Sequence, residues 1–296
     1  MSVKLAEGVS DSKTGFLSDI EKGSPLGYYF AVSIVLFVSA MYLLINFTGF
    51  LPSGNILVTV VCDSLLILGS SMFFVISLIG YIKSRNLRIR SGIFAFAVSS
   101  FSYFIAGLFW TYYNLAMQEA IPYPSIGDIF YVIGSLALIF AIYYMTKTLN
   151  VKQGLKVGMN VLIVIMAIVA MAVIVFAYAS FTDLFRDGIG LAALISIVYP
   201  ILDIICLAMV GNLILISFGR NVFEAQVILA VGACIMCFSH IYFSIIMAME
   251  KTSYGTLFIT LSAISYMVYS MGVSRYIDLT RFDILADRLA KINKKV

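Results

Sequence analysis

Residues 121–145 read IPYPSIGDIFYVIGSLALIFAIYYM. After Asp128 no charged residue appears until Lys147. A helix crosses a hydrocarbon core with roughly 18–20 such residues at ~1.5 Å each. The apolar residues are continuous and do not alternate, so the run reads as a helix and not as a barrel strand. A carboxylate at the head of such a run needs a reason. The chain repeats the arrangement further on: residues 197–215, IVYPILDIICLAMVGNLIL, place Asp203 just after another Tyr-Pro.

Working outward, the whole chain has this character. Of its 296 residues, 62% are hydrophobic and 11% charged, and the mean hydropathy is +1.04. Soluble domains carry roughly 25% charged residues. The fold class is therefore an all-α polytopic membrane protein, whose helices satisfy their own backbone hydrogen bonds in lipid. Eight spans are expected, at about 27–50, 56–82, 91–117, 124–146, 157–179, 189–217, 222–249 and 254–275. Three regions follow: an N-terminal segment over 1–26, an eight-helix domain over 27–275 and a C-terminal helix over 276–296. The N-terminal segment is polar and mixed in charge, unlike a signal peptide.

Positive charge orients the spans. With the N-terminus inside, 17 of the 19 Lys and Arg residues fall on the cytoplasmic side, and only Arg186 and Lys251 fall outside. The expectation is a cell-membrane protein with both termini cytoplasmic. Its net charge of +4 then reflects topology and the lipid bilayer, with no nucleic-acid partner implied.

The same sorting leaves three acids inside the spans: Asp63, Asp128 and Asp203. All lie on even-numbered spans, which start at the outer face. His240, the only histidine, lies in the outer half of span 7. Asp63 and Asp128 are each followed, after five residues, by Gly-Ser, and Phe101-Ser102-Tyr103 lines up with Phe238-Ser239-His240. These matches suggest a 4+4 internal repeat with parallel halves.

Each acid admits two readings. Ser125 and Asp128 have capping-box spacing, and Asp128 faces the positive end of its helix dipole, which requires no function. Asp203 follows Pro200 inside an apolar run that begins near Ile189, so it sits mid-depth in a kinked helix. Otherwise the span begins at Tyr199 and Asp203 is a first-turn acid. A charge at mid-depth is costly unless paired or hydrated, and such groups commonly serve function. On that reading Asp63, Asp203, His240, Tyr103 and Asp128 line one outward cavity that binds a small ligand, ion or proton, with His240 titrating near neutral pH. On the plain reading His240 ties two helices together.

Cys234, Cys237 and His240 stand three residues apart on one helix, a pattern with the ligand types for a soft metal. Steps of ~100° per residue spread the three around the helix, so neither metal nor cofactor is expected. Cys62, Cys206, Cys234 and Cys237 all lie in apolar runs, which argues against disulfides. Trp110, Tyr112 and Tyr113 near one span end read as interfacial anchors. No lysine lies deep in a span, and no H-E-x-x-H, G-x-S-x-G or Walker sequence is present. In the tail, Phe282, Leu285, Leu289 and Ile292 form an a/d seam. Such a seam fits a short parallel coiled coil in a homodimer or a helix lying on the inner leaflet.

The two stretches quoted above also resemble signatures in the multi-span N-terminal regions of prokaryotic signalling proteins. There a Pro-Ser-x-x-Asp-x-x-Tyr span and a later Tyr-Pro-x-x-Asp span precede a diguanylate cyclase, phosphodiesterase, PAS or histidine-kinase module. Pro124, Ser125, Asp128 and Tyr131 match the first, and Tyr199, Pro200 and Asp203 the second. The sequence runs only about twenty residues past span 8. The resemblance thus implies a stand-alone, non-enzymatic sensor that signals to a cytoplasmic partner through its tail. The alternatives are a proton- or sodium-coupled secondary transporter, which should also place polar groups in the inner halves of its spans, and an intramembrane enzyme, which should bring the acids and His240 within hydrogen-bond reach of one another.

Overall fold

The computed structural model describes residues 32–33, 35–40, 56–84, 87–117, 124–148, 191–220, 222–248 and 255–293. Its principal helices are α1 (Ile56–Lys83), α2 (Leu87–Thr111, continued by a π-helical turn over Tyr112–Met117), α3 (Ile126–Thr148), α4 (Leu191–Ser217), α5 (Phe223–Ala248) and α6 (Gly255–Asn293). All six are long and apolar enough to cross a membrane. The chain is therefore a multi-pass helical membrane protein. These helices correspond to expected spans 2, 3, 4, 6, 7 and 8. Expected span 5, at 157–179, lies outside the described residues, and span 1, at 27–50, is described only as helical residues 32–33 and 35–40.

The main contacts close a ring in the order α1, α2, α3, α4, α5, α6 and back to α1. Consecutive helices run antiparallel except α3 and α4, which run parallel, with Asp128 beside Tyr199 near their starts. Leu66 of α1 meets Gly107 of α2, whereas Gly80 meets Ile93. Helices α1 and α6 run parallel, with Cys62 beside Thr260, Gly69 beside Ala263 and Gly80 beside Ile277. The starts of α1, α3, α4 and α6 thus share one end of the bundle with the last turns of α2 and α5.

Lipid offers no hydrophobic drive between helices, so close packing of small residues takes over. A Cβ on Gly69 would stand 2.8 Å from the Ala263 carbonyl oxygen, so only glycine lets α1 and α6 approach this closely. Gly134 of α3 is the floor beneath the Tyr103 ring, whose nearest atom would lie 2.7 Å from a Cβ there. Serines add short ties: Ser99 Oγ donates to the Gly134 carbonyl at 2.8 Å, and Ser265 Oγ to the Gly232 carbonyl at 2.9 Å. The opposite faces carry Leu68, Phe94, Ile129, Phe140 and Phe238, all exposed on the bundle surface as lipid-facing residues should be.

Three local features differ from the expectation or resolve it. Helix α4 runs unbroken through Pro200, so Asp203 lies twelve residues inside a single helix and is not in its first turn. The π-helical turn at the end of α2 is not legible in the apolar pattern. The C-terminal helix is continuous with span 8 and gives one 39-residue element, because no proline follows Gly255 and the only later glycine, Gly272, is tolerated within the helix. Its packed part reaches Thr280: Thr148 Oγ1 and Tyr276 Oη share a 3.2 Å hydrogen bond, and Thr280 is buried.

Candidate functional site

At the shared end of the bundle one half of the expected capping box forms: Asp128 reaches back to the Ser125 N–H, while the Ser125 hydroxyl donates to the same carboxylate instead of accepting from a first-turn N–H. The Ser125 backbone N–H and Oγ donate to Asp128 Oδ2 at 2.6 and 2.8 Å. The other oxygen, Oδ1, accepts from Tyr199 Oη of α4 at 2.6 Å. Asp128 is 1% exposed, so those hydrogen bonds stand in for the water it has lost. It also lies in the first turn of α3, where the helix dipole favours negative charge.

Asp203 follows Tyr199 by one helical turn and therefore shares its face. Asp203 Oδ2 lies 2.7 Å from His240 Nδ1 of α5, with both side chains buried. With the carboxylate ionised, Nδ1 carries the proton and donates. The Tyr199 and His240 rings stack at 5.3 Å between centroids with 28° between planes. Asp128, Tyr199, His240 and Asp203 thus form one buried polar chain across α3, α4 and α5. The two quoted stretches meet through it: the tyrosine of the second Tyr-Pro donates to the aspartate of the first.

An aromatic shell encloses the chain. Trp110 of α2 stands edge-on to Tyr131 of α3 at 6.3 Å and to Phe243 of α5 at 5.5 Å. Phe258 of α6 packs on Phe243 at 4.6 Å and on the His240 ring at 6.1 Å. These rings, with Asp128, Tyr199 and His240, line one small pocket that is filled by its own side chains and leaves no room for a water molecule. Two polar atoms in this shell, Trp110 Nε1 and Tyr131 Oη, are buried without a hydrogen bond of good geometry.

The five residues singled out in the sequence do not gather equally. Asp128, Asp203 and His240 belong to the chain just described. Tyr103 lies deeper, sharing a 3.0 Å hydrogen bond with Ser135 and packing its ring on Tyr131 and Tyr266. Asp63 is paired separately: Asn114 Nδ2, presented by the π-helical turn, reaches its two oxygens at 3.3 and 3.2 Å. Cys234 is exposed on the bundle surface while Cys237 is buried, so the Cys-x-x-Cys-x-x-His spacing does not converge. Among the described residues no group of three or more His, Cys, Asp or Glu side chains is placed to hold a metal ion.

Sequence reasoning missed three contributors. Trp110 was expected at the interface but is 6% exposed and inside the shell, whereas Tyr112 does face outward. Tyr199 was seen only as part of a motif, although its position one turn before Asp203 was the available signal. Asn114 carried no signal, because its reach depends on the π-helical turn.

No family model matches this chain, and neither does any curated protein or solved structure. The class is therefore what the fold and the apolar helices define, a multi-pass α-helical membrane protein.

Proposed function

We propose that the protein is a membrane sensor: the end of the bundle holding Asp128 and His240 faces outward, takes up a small ligand, ion or proton, and signals through the C-terminal helix to a cytoplasmic partner. One observation carries this reading. The buried chain from Asp128 to Asp203 touches α6 through His240 and Phe258, and α6 is the helix that continues without a break to Asn293. Any change in the imidazole's charge or position therefore acts on the element that leaves the bundle. Histidine is the side-chain type whose charge changes between about pH 5 and 8, and His240 is the only one in the sequence. The resemblance of the Pro-Ser-x-x-Asp-x-x-Tyr and Tyr-Pro-x-x-Asp stretches to sensor regions of prokaryotic signalling proteins agrees with this role.

The helix arrangement also supports the 4+4 reading. Spans 2, 3 and 4 neighbour one another as spans 6, 7 and 8 do, and the pairs joining the two sets, span 4 with span 6 and span 8 with span 2, are both parallel. A parallel repeat of this kind is shared with some transporters. The polar chain, however, is confined to one end of the bundle, as a sensor requires. The intramembrane-enzyme reading asks for all the acids within reach of His240, and Asp203 alone is hydrogen-bonded to it.

Hydrogen exchange across residues 277–293 tests the proposal, with the protein in lipid nanodiscs between about pH 5 and pH 8. After correction for intrinsic exchange, protection of this segment should change with pH in the native chain and stay flat in His240→Gln. Equal profiles for the two would overturn the sensor reading. Proton flux into vesicles with no change in the tail would favour the transporter.

A further inference from the structure

We infer that the ligand of this site is an organic ammonium ion, held in the aromatic shell against Asp128. The inference rests on the sensor reading of the same site and names its ligand class.

Asp128 is a buried acid that makes hydrogen bonds but meets no cationic side chain among the described residues: its partners are Ser125 and Tyr199. The one basic group lining the pocket, His240, is paired with Asp203. The pocket therefore holds a negative group with its positive partner missing.

The walls match such a partner. Trp110, Tyr131, Tyr199, Phe243 and Phe258 surround Asp128 from five helices. The neighbouring rings stand at steep angles: 86° between Trp110 and Tyr131, 89° between Tyr131 and Tyr199, and 65° between Trp110 and Phe243. Steeply inclined rings form the sides of a box. A cation within ~6 Å of several ring faces is attracted by each of them, most strongly by tryptophan and when water is excluded. Methyl groups on nitrogen suit such walls, which a bare metal ion would not, because the only charged oxygens here are already hydrogen-bonded.

A second observation is independent of the rings. Trp110 Nε1 is a buried donor with no hydrogen-bond partner, while Tyr131 Oη lies beside Tyr266 without good hydrogen-bond geometry. A buried donor left unpaired is costly, and an ammonium ion that also carries a hydroxyl or ether oxygen would relieve it. The box is closed in this structure, with its rings 4.6–6.4 Å apart. Entry of the ion must part them. Phe258 belongs to α6, so opening the box necessarily moves that helix.

Trp110 is the only tryptophan, and its fluorescence reports directly on the box. The experiment titrates the full chain in nanodiscs with choline, with tetramethylammonium and with 3,3-dimethylbutanol, the uncharged isostere of choline. Both cations should produce a saturable change in emission, choline at the lower concentration, while the alcohol produces none. Asp128→Asn, which keeps the oxygen that accepts from Tyr199, should weaken choline by about tenfold or more. Phe243→Leu, which removes a wall but no charge, should weaken it as well, so the test does not depend on one variant folding. No saturable response in the native chain would overturn the inference, as would equal binding of the alcohol. If the ammonium response is absent while residues 277–293 still respond to pH, the ligand class alone is wrong. Loss of both responses would remove the sensor reading too.

Discussion

Asp63 and Asp203 occupy matching places in the suspected repeat, yet the structure treats them differently. Asp203 is bonded at 2.7 Å to a histidine whose ring packs on Tyr199 and Phe258, and it stands one turn from a tyrosine that reaches a second acid. Asp63 meets one carboxamide at 3.2–3.3 Å, offered by an irregular turn. Asp63 has a single neutral carboxamide at long hydrogen-bond distance, whereas Asp203 has an imidazole partner locked among packed rings. Equivalent positions in a sequence repeat do not make equivalent sites; the residue that the adjacent helix presents decides the role.

Substitutions can break this comparison, and the largest effect belongs to His240. His240→Ala strands the Asp203 carboxylate in a buried environment, and losing one partner of a buried pair costs about 3–5 kcal/mol. Thermal unfolding in nanodiscs should show a clear fall in midpoint, rescued in part by adding Asp203→Asn. Next comes Tyr199→Phe, which removes a hydrogen bond to a charged group and should cost about 1.5–3 kcal/mol. Ser125→Ala deletes the hydroxyl that donates to Asp128 for ~1 kcal/mol, measurable in the same assay. The smallest effect is expected for Asn114→Ala, under about 1 kcal/mol, because its two contacts are long for hydrogen bonds and lie near the end of α2. If Asn114→Ala proved as costly as His240→Ala, the contrast between the two acids would be lost.

A further comparison concerns the opposite end of the bundle. There Arg275 grips Glu224 through Nε and Nη2 at 3.0 and 2.8 Å, with both side chains partly exposed. Arg90 lies over the Tyr81 ring at 4.5 Å. A surface ion pair contributes about 0–1 kcal/mol and is screened by salt. Glu224→Gln should therefore barely move the unfolding midpoint, and less so in high salt. Truncation sharpens the point: because Tyr276 and Thr280 are buried, a cut after Ser274 should lower the midpoint clearly.

Much of the fold was legible because long apolar runs admit few structures. Six of the expected spans appear, five of them with both ends within a few residues of the sequence reading, and Asp128 reaches back to the Ser125 N–H as its spacing suggests, although the Ser125 hydroxyl donates to that carboxylate and does not cap the helix. The site was only half legible. Asp203 and His240 stood out because charge is rare in such helices. Their aromatic surroundings did not, since a helix that is apolar all round does not reveal which side meets lipid. Trp110 shows this: tryptophan near a span end usually anchors at the interface, and only the packing of α2 against Gly127 of α3 turns it inward. The single helix from Gly255 to Asn293 was missed for another reason. The change from apolar to charged composition near Arg275 marks where the surroundings change, and the backbone does not respond to it.

That helix is held by α1 at two levels, where Gly69 receives the Ala263 backbone and Gly80 receives Ile277. A rod gripped at two heights resists being swung sideways, since one grip must open whenever the other is the pivot. Turning about its own axis meets far less resistance. A turn at Phe258 that kept both seats would be carried along the continuous backbone of α6 toward Asn293. Under the sensor proposal the glycine seats would make α6 a drive shaft, with torque as its output.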